Sequence, residues 1–282
     1  MVLCALVFGI LGALIASFIF HIDYNLLLNQ LSGTSETSNI GFLKFYNVFS
    51  TAGAWVVSGF LLSKIRSFNV NSLWHFRVPP VRFIWFLLPV LFISATFISA
   101  YLLDINQRLP IPESIRSAFD SFNTGGLLER MLVMNSYSDL FVNLIVIALF
   151  PAVFEEIFFR GTLQPLVNGL FNNHHLGIWF CSLVFALIHL NITQLLPMTF
   201  LALVLGYLFH YSGSIYPGIL LHFTNNAMAV LAYYFQDRSE MAKKIVDDTF
   251  KPEIWHFVVF SIVLVTVFGF MIQQYKLHKN HE

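Results

Sequence analysis

About eight stretches of this chain are apolar for roughly the twenty residues that a helix needs to cross a bilayer. They are Val2 to Phe20, Tyr46 to Leu62, Val81 to Leu103, Leu140 to Phe159, Leu176 to Leu190, Leu195 to Phe209, Ile215 to Phe235 and Ile254 to Tyr275. The fold class that follows is all-α, a polytopic membrane helix bundle. Only 11% of the 282 residues are charged, less than half the share of about 25% in a soluble domain. The formal net charge is zero, so no long-range field recruits nucleic acid. Cys4 and Cys181 fall inside apolar stretches without metal-ligand or redox spacing and read as small core residues.

The first run lacks the basic start and small-residue cleavage site of a signal peptide, so it is expected as a retained span. Lys64, Arg66, Arg77 and Arg82 cluster after the second run, Arg160 follows the fourth, and Lys276 and Lys279 follow the eighth. Basic loops stay in the cytoplasm, which puts both termini there. The compact chain points to a bacterial inner membrane. Ser32 to Asn39 reads as a polar turn. Leu127, Leu128, Met131 and Leu132 have helical spacing and suit either an interfacial amphipathic helix or an ordinary surface one. Three regions are expected: 1–135 with the N-terminal helices and a long loop, 136–236 as a polar-motif core, and 237–282 with the last loop and span.

Polar side chains in the middle spans are costly, about 2.5 to 3.5 kcal/mol for an Asp near a membrane centre, and so mark function. The first set is Glu155, Glu156 and Arg160. Four-residue spacing pairs Glu156 with Arg160 on one helical face, while Glu155 points about a hundred degrees away. The second is His189 at the end of the fifth span; alone, such a residue is more often a satisfied core histidine. The third is His222 with Asn226, four apart on one face of the seventh span, which would otherwise serve as interhelical glue. His174 and His175 read as solvated loop residues and His210 as an interfacial one. Gly161 and Gly206 allow close helix approach.

One Glu and two His from three helices suit two chemistries. A carboxylate and an imidazole can activate water for attack on an amide while His and Asn donate to the oxyanion. Alternatively, Glu155, His189 and His222 can ligate a zinc ion with one open position. Spacing leaves both open.

Read in order, Glu155-Glu156-x-x-x-Arg160, Phe185-x-x-x-His189 and His222-x-x-x-Asn226 resemble the motifs of the CPBP family of intramembrane proteases, which includes the type II CAAX prenyl endopeptidase. The resemblance covers about Leu140 to Phe235. It implies an endopeptidase in which Glu155 and His189 activate water, His222 and Asn226 stabilise the oxyanion, and Glu156 and Arg160 hold the site together. It favours a metal-free hydrolase, with zinc as the older family assignment. The implied partners are the lipid bilayer and a membrane-associated protein or peptide substrate. A non-catalytic scaffold or immunity protein that keeps the same fold is the alternative. A proton-coupled transporter is disfavoured by the lack of duplicated halves and broken helices.

Overall fold

In the computed structural model, which describes residues 1–23, 39–65, 74–79, 82–122 and 127–279, all regular structure is helical. Among the described residues, six helices are long and apolar enough to cross a membrane. These are α1 (Val2–Phe20), α2 (Ile40–Lys64), α3 (Ile84–Arg108), α6 (Tyr137–Phe171), α8 (Leu195–Ser212) and α11 (Ile254–Lys279). The other two expected spans are also helices: α7 (His174–Ile188) is short, and α9 (Tyr216–Phe235) carries His222, Thr224, Asn225 and Asn226. Short helices α4 (Glu113–Phe122), α5 (Leu127–Met131) and α10 (Glu240–Val246) lie between them.

Helix α6 runs on to Phe171, well beyond the expected end at Phe159. Its two widened π-type turns, Leu144–Leu149 and Phe159–Leu163, each stand just before a proline, Pro151 and Pro165. A proline ring clashes with the carbonyl four residues back and leaves it without a donor. A wider turn there absorbs the clash and keeps the helix continuous. Arg160 therefore lies inside a helix and is buried, so it is no loop charge and carries no information on orientation.

The paired asparagines after α6 explain a second difference. Asn172 takes the left-handed conformation that ends α6, and the Asn173 side chain accepts from the backbone N–H groups of His175 and Leu176 to start α7. His174 and His175 thus open a helix instead of sitting in a loop. The His174 ring stacks 4.2 Å from that of His210, and His175 Nδ1 lies 2.9 Å from the Tyr207 hydroxyl.

Small residues set the closest approaches. Gly9, Gly12, Ala13 and Ala16 form the buried stripe of α1 against α2, as expected where lipid supplies no hydrophobic drive between helices and packing must. A Cβ on Gly206 would come 2.8 Å from Ile178, so α7 and α8 meet there. Helices α3, α8 and α11 share the largest apolar cluster, built on Leu88, Leu91, Leu205 and Leu208. Met131 and Leu132, at the end of α5, are buried against two further clusters. The segment is thus anchored in the bundle. Of the Ser32 to Asn39 turn, only Asn39 lies within the described residues, where its side chain caps α2 by accepting from Phe42 N–H. Arg66 lies outside them.

Candidate active site

The polar residues singled out above come from α6, α7 and α9. Glu156 and Arg160 are one turn apart on α6 and almost wholly buried. Arg160 Nη1 lies 2.9 Å from Glu156 Oε1, an ion pair without hydrogen-bond alignment. Its Nη2 donates to the Ala202 carbonyl of α8 at 3.0 Å. The guanidinium sits 5.3 Å from the Phe185 ring centre, a cation over an aromatic face. The charge is therefore paired, hydrogen-bonded and packed, which is what a buried cation requires.

The same Glu156 oxygen lies 3.0 Å from Nδ1 of His222 on α9. With the carboxylate accepting, Nδ1 carries the proton, and the ring turns its Nε2 toward Glu155, whose Oε2 is 3.7 Å away. That distance is beyond a direct hydrogen bond and suits two groups acting on a third atom between them. Glu155 keeps 12% side-chain exposure while Glu156 has none. One acid is thus locked into structure and its neighbour is left accessible.

Gly218, one turn before His222, makes the approach possible. A Cβ there would stand 3.2 Å from Glu156 Oε2. Sequence reading passed over Gly218 because a lone glycine in an apolar helix signals nothing without its neighbour across the interface.

His189 caps the end of α7 and is exposed, and its Nδ1–H donates to the Phe185 carbonyl at 2.7 Å. That bond leaves Nε2 as the acceptor nitrogen. The Phe185 ring contacts both imidazoles, 4.6 Å from His189 and 5.9 Å from His222 by ring centres. Among the described residues no ion pair joins His189 to Glu155, and Asn226 makes no hydrogen bond. The structure thus brings Glu155, Glu156, Arg160 and His222 into one contact chain, with His189 against Phe185 and Asn226 one turn along from His222.

A second residue missed from sequence holds the segment after His189. Asn106, at the end of α3 and 2% exposed, donates to Ile192 O at 3.0 Å and accepts from Leu196 N–H at 2.8 Å. Among the described residues no three His, Cys, Asp or Glu side chains gather in a group that could hold a metal ion. His222 presents one ring nitrogen to each of the two carboxylates.

Comparison with known proteins agrees with the family resemblance. Residues 137–228 match the family described as type II CAAX prenyl endopeptidase Rce1-like. The uncharacterized protein YpbD of Bacillus subtilis (strain 168) is 23% identical over 193 residues, covering 67% of this chain and 85% of that protein. No solved structure matches. Residues 137–228 of this multi-pass membrane protein are thus similar to the Rce1-like family, in line with the CPBP resemblance, a similarity that suggests an intramembrane protease of the CAAX type.

Proposed function

We propose that the protein is an intramembrane endopeptidase that hydrolyses a peptide bond of a membrane-associated protein or peptide, with Glu155 as the base. The observation that carries this reading is the contact chain Arg160, Glu156, His222, Glu155, in which a buried ion pair orients an imidazole against an accessible carboxylate. Glu155 takes a proton from the attacking water, and the hydroxyl adds to the carbonyl carbon. The His189 Nε2 lone pair is a second acceptor that holds the water. His222, held by Glu156, and the Asn226 amide donate to the oxygen that gains the electron pair. As the intermediate collapses, the C–N bond breaks and Glu155 returns its proton to the leaving amine.

The test is cleavage of membrane-anchored peptides by the purified protein in liposomes, alongside Glu155→Gln, His189→Ala and His222→Ala, each with and without chelator. Loss of cleavage in all three variants and indifference to chelator support the proposal. Chelator sensitivity reversed by zinc moves Glu155, His189 and His222 to ligand roles. No cleavage of any peptide by folded wild type favours a scaffold.

A further inference from the structure

The connection from α2 to α3 contains a strap, residues 74–79, that is fastened to the bundle at two places. At the first, the Trp74 indole N–H donates to Thr162 Oγ1 at 3.0 Å. Thr162 is buried in the same widened turn of α6 as Arg160, and its hydroxyl donates in turn to the Ile157 carbonyl at 3.2 Å. Gly161 makes room for the indole, since a Cβ there would stand 3.1 Å from it. At the second place, Arg77 Nε donates to the Gly213 carbonyl at 2.8 Å and the Ser214 hydroxyl donates to the Arg77 carbonyl. The Ile215 N–H donates to the His75 carbonyl at 3.3 Å. Gly213 to Ile215 form the turn from α8 into α9.

The Trp74 ring packs against a buried apolar cluster of Ile157, Phe209 and Ile215, edged by Val153 and Ile219. This cluster joins α6, the end of α8 and the start of α9. Ile157 follows Glu156 in the chain, and Ile219 follows Gly218. At 1.5 Å per residue, Thr162 lies about 9 Å beyond Glu156 along α6, and Ile215 about 10 Å before His222 along α9. The strap thus spans α6 and α9 on one side of the place where Glu156 and His222 meet. Arg160 and Gln164 tie α6 directly to α8 through the carbonyls of Ala202 and Gly206. The start of α9 is tied to α6 through the strap.

We propose that Trp74 is a positioning residue for the candidate site: by holding the start of α9 against α6, it sets the reach of Glu156 to His222. The inference rests on the proteolytic reading above for its effect on turnover, and on geometry alone for its effect on His222. The 3.0 Å contact between Glu156 and His222 has little slack, because such bonds rarely exceed about 3.2 Å. Glu156 cannot follow a displaced α9, since Arg160 holds the same carboxylate oxygen from its own helix. A small outward step of α9 therefore parts the pair and frees the imidazole that faces Glu155. Tryptophan suits the task, because its apolar body fills the cluster while its one N–H fixes it to Thr162.

Two measurements on the full chain in liposomes test it. The first needs no substrate. At mildly alkaline pH, with isotope-labelled histidine, the ring-nitrogen NMR signals of His222 are identified by their absence in His222→Gln, and wild type is expected to carry the proton on Nδ1. Trp74→Ala shifts those signals toward the other tautomer. Trp74→Phe and Thr162→Val, each of which deletes the bond from indole to threonine, do so less. If Trp74→Ala does not fold, these two milder variants carry both readouts. His222 signals that match wild type in every folded variant overturn the proposal, whatever the cleavage rates. In the second measurement the same variants cleave membrane-anchored peptides. Trp74→Ala lowers kcat about 10-fold to 100-fold, the scale for reacting groups displaced by up to about 1 Å, while KM stays near its wild-type value. The two milder variants fall between. A wild-type kcat in every folded variant, or a loss confined to KM, overturns the proposal. Shifted His222 signals with no peptide cleaved by wild type keep Trp74 as the residue that positions His222 and sink the proteolytic reading.

Discussion

Glu156 Oε1 and His222 Nδ1 meet at 3.0 Å across 66 residues of chain, and the same oxygen holds Arg160 at 2.9 Å. One carboxylate thus serves a cation of its own helix and an imidazole of another. This sharing makes Glu156 a positioning residue for His222 as well as a structural partner for Arg160.

Removing Glu156 strands two groups that are almost wholly buried. Glu156→Ala is expected to cost about 3 to 5 kcal/mol, the range for breaking one side of a buried ion pair. Replacing both charges, as in Glu156→Leu with Arg160→Met, recovers much of that loss because no buried charge is left uncompensated. Denaturant unfolding in detergent measures both. Equal stability of single and double variants contradicts the pairing.

Gly218→Ala separates geometry from stability. Alanine favours a helix interior over glycine by about 1 kcal/mol, while crowding a packed contact costs about 1 to 3 kcal/mol. The two effects largely cancel, so the melting temperature changes little. Activity falls, because the new methyl pushes on Glu156 at Oε2, 3.2 Å away, and with it His222. Comparing kcat/KM with the melt is the check, and an unchanged kcat/KM contradicts the tight contact.

Asn106→Leu should unfasten the segment behind His189. It leaves the Ile192 carbonyl and the Leu196 N–H without their partner, at about 1 to 3 kcal/mol for each unsatisfied group that stays buried. Unfolding and peptide cleavage should both weaken. A variant as stable and active as wild type contradicts the clamp.

Asp248 sits outside the spans, in the loop after α10, with φ of 53°. Burial raises its carboxyl above the ordinary range, and a hydrogen bond from Gln194 opposes that in part. A folded pKa above the unfolded one means that ionisation weakens the fold. The stability present below the unfolded pKa is lost as pH rises through the raised value. An asparagine in its place keeps an acceptor for Gln194 and tolerates the left-handed backbone, so Asp248→Asn raises the melting temperature at neutral pH and removes this acid-range dependence. Melts of both proteins from pH 4 to about pH 8 test the sign.

Much of the bundle is visible in the sequence because apolar runs of spanning length have few alternatives in lipid. The Glu156 and Arg160 pair is visible too, since four-residue spacing is a local property of a helix. What escapes is whatever depends on distant chain. No local pattern ties Glu156 to His222, marks Gly218 as the residue that lets their helices meet, or aims Asn106 at the turn after His189. Arg160 reads as a loop charge because a buried arginine inside an apolar helix is rare, and only its partner makes it affordable. His174 and His175 read as loop because Asn172 and Asn173 resemble a turn, although one ends a helix and the other begins the next.

The central claim is that Glu155 is the catalytic base. The most direct test is kcat/KM of wild type and Glu155→Gln on one cleaved membrane-anchored peptide, with the two proteins matched in melting temperature. Loss of a general base is expected to lower kcat/KM by about 100-fold to 10,000-fold. Cleavage by Glu155→Gln within a few-fold of wild type contradicts the account.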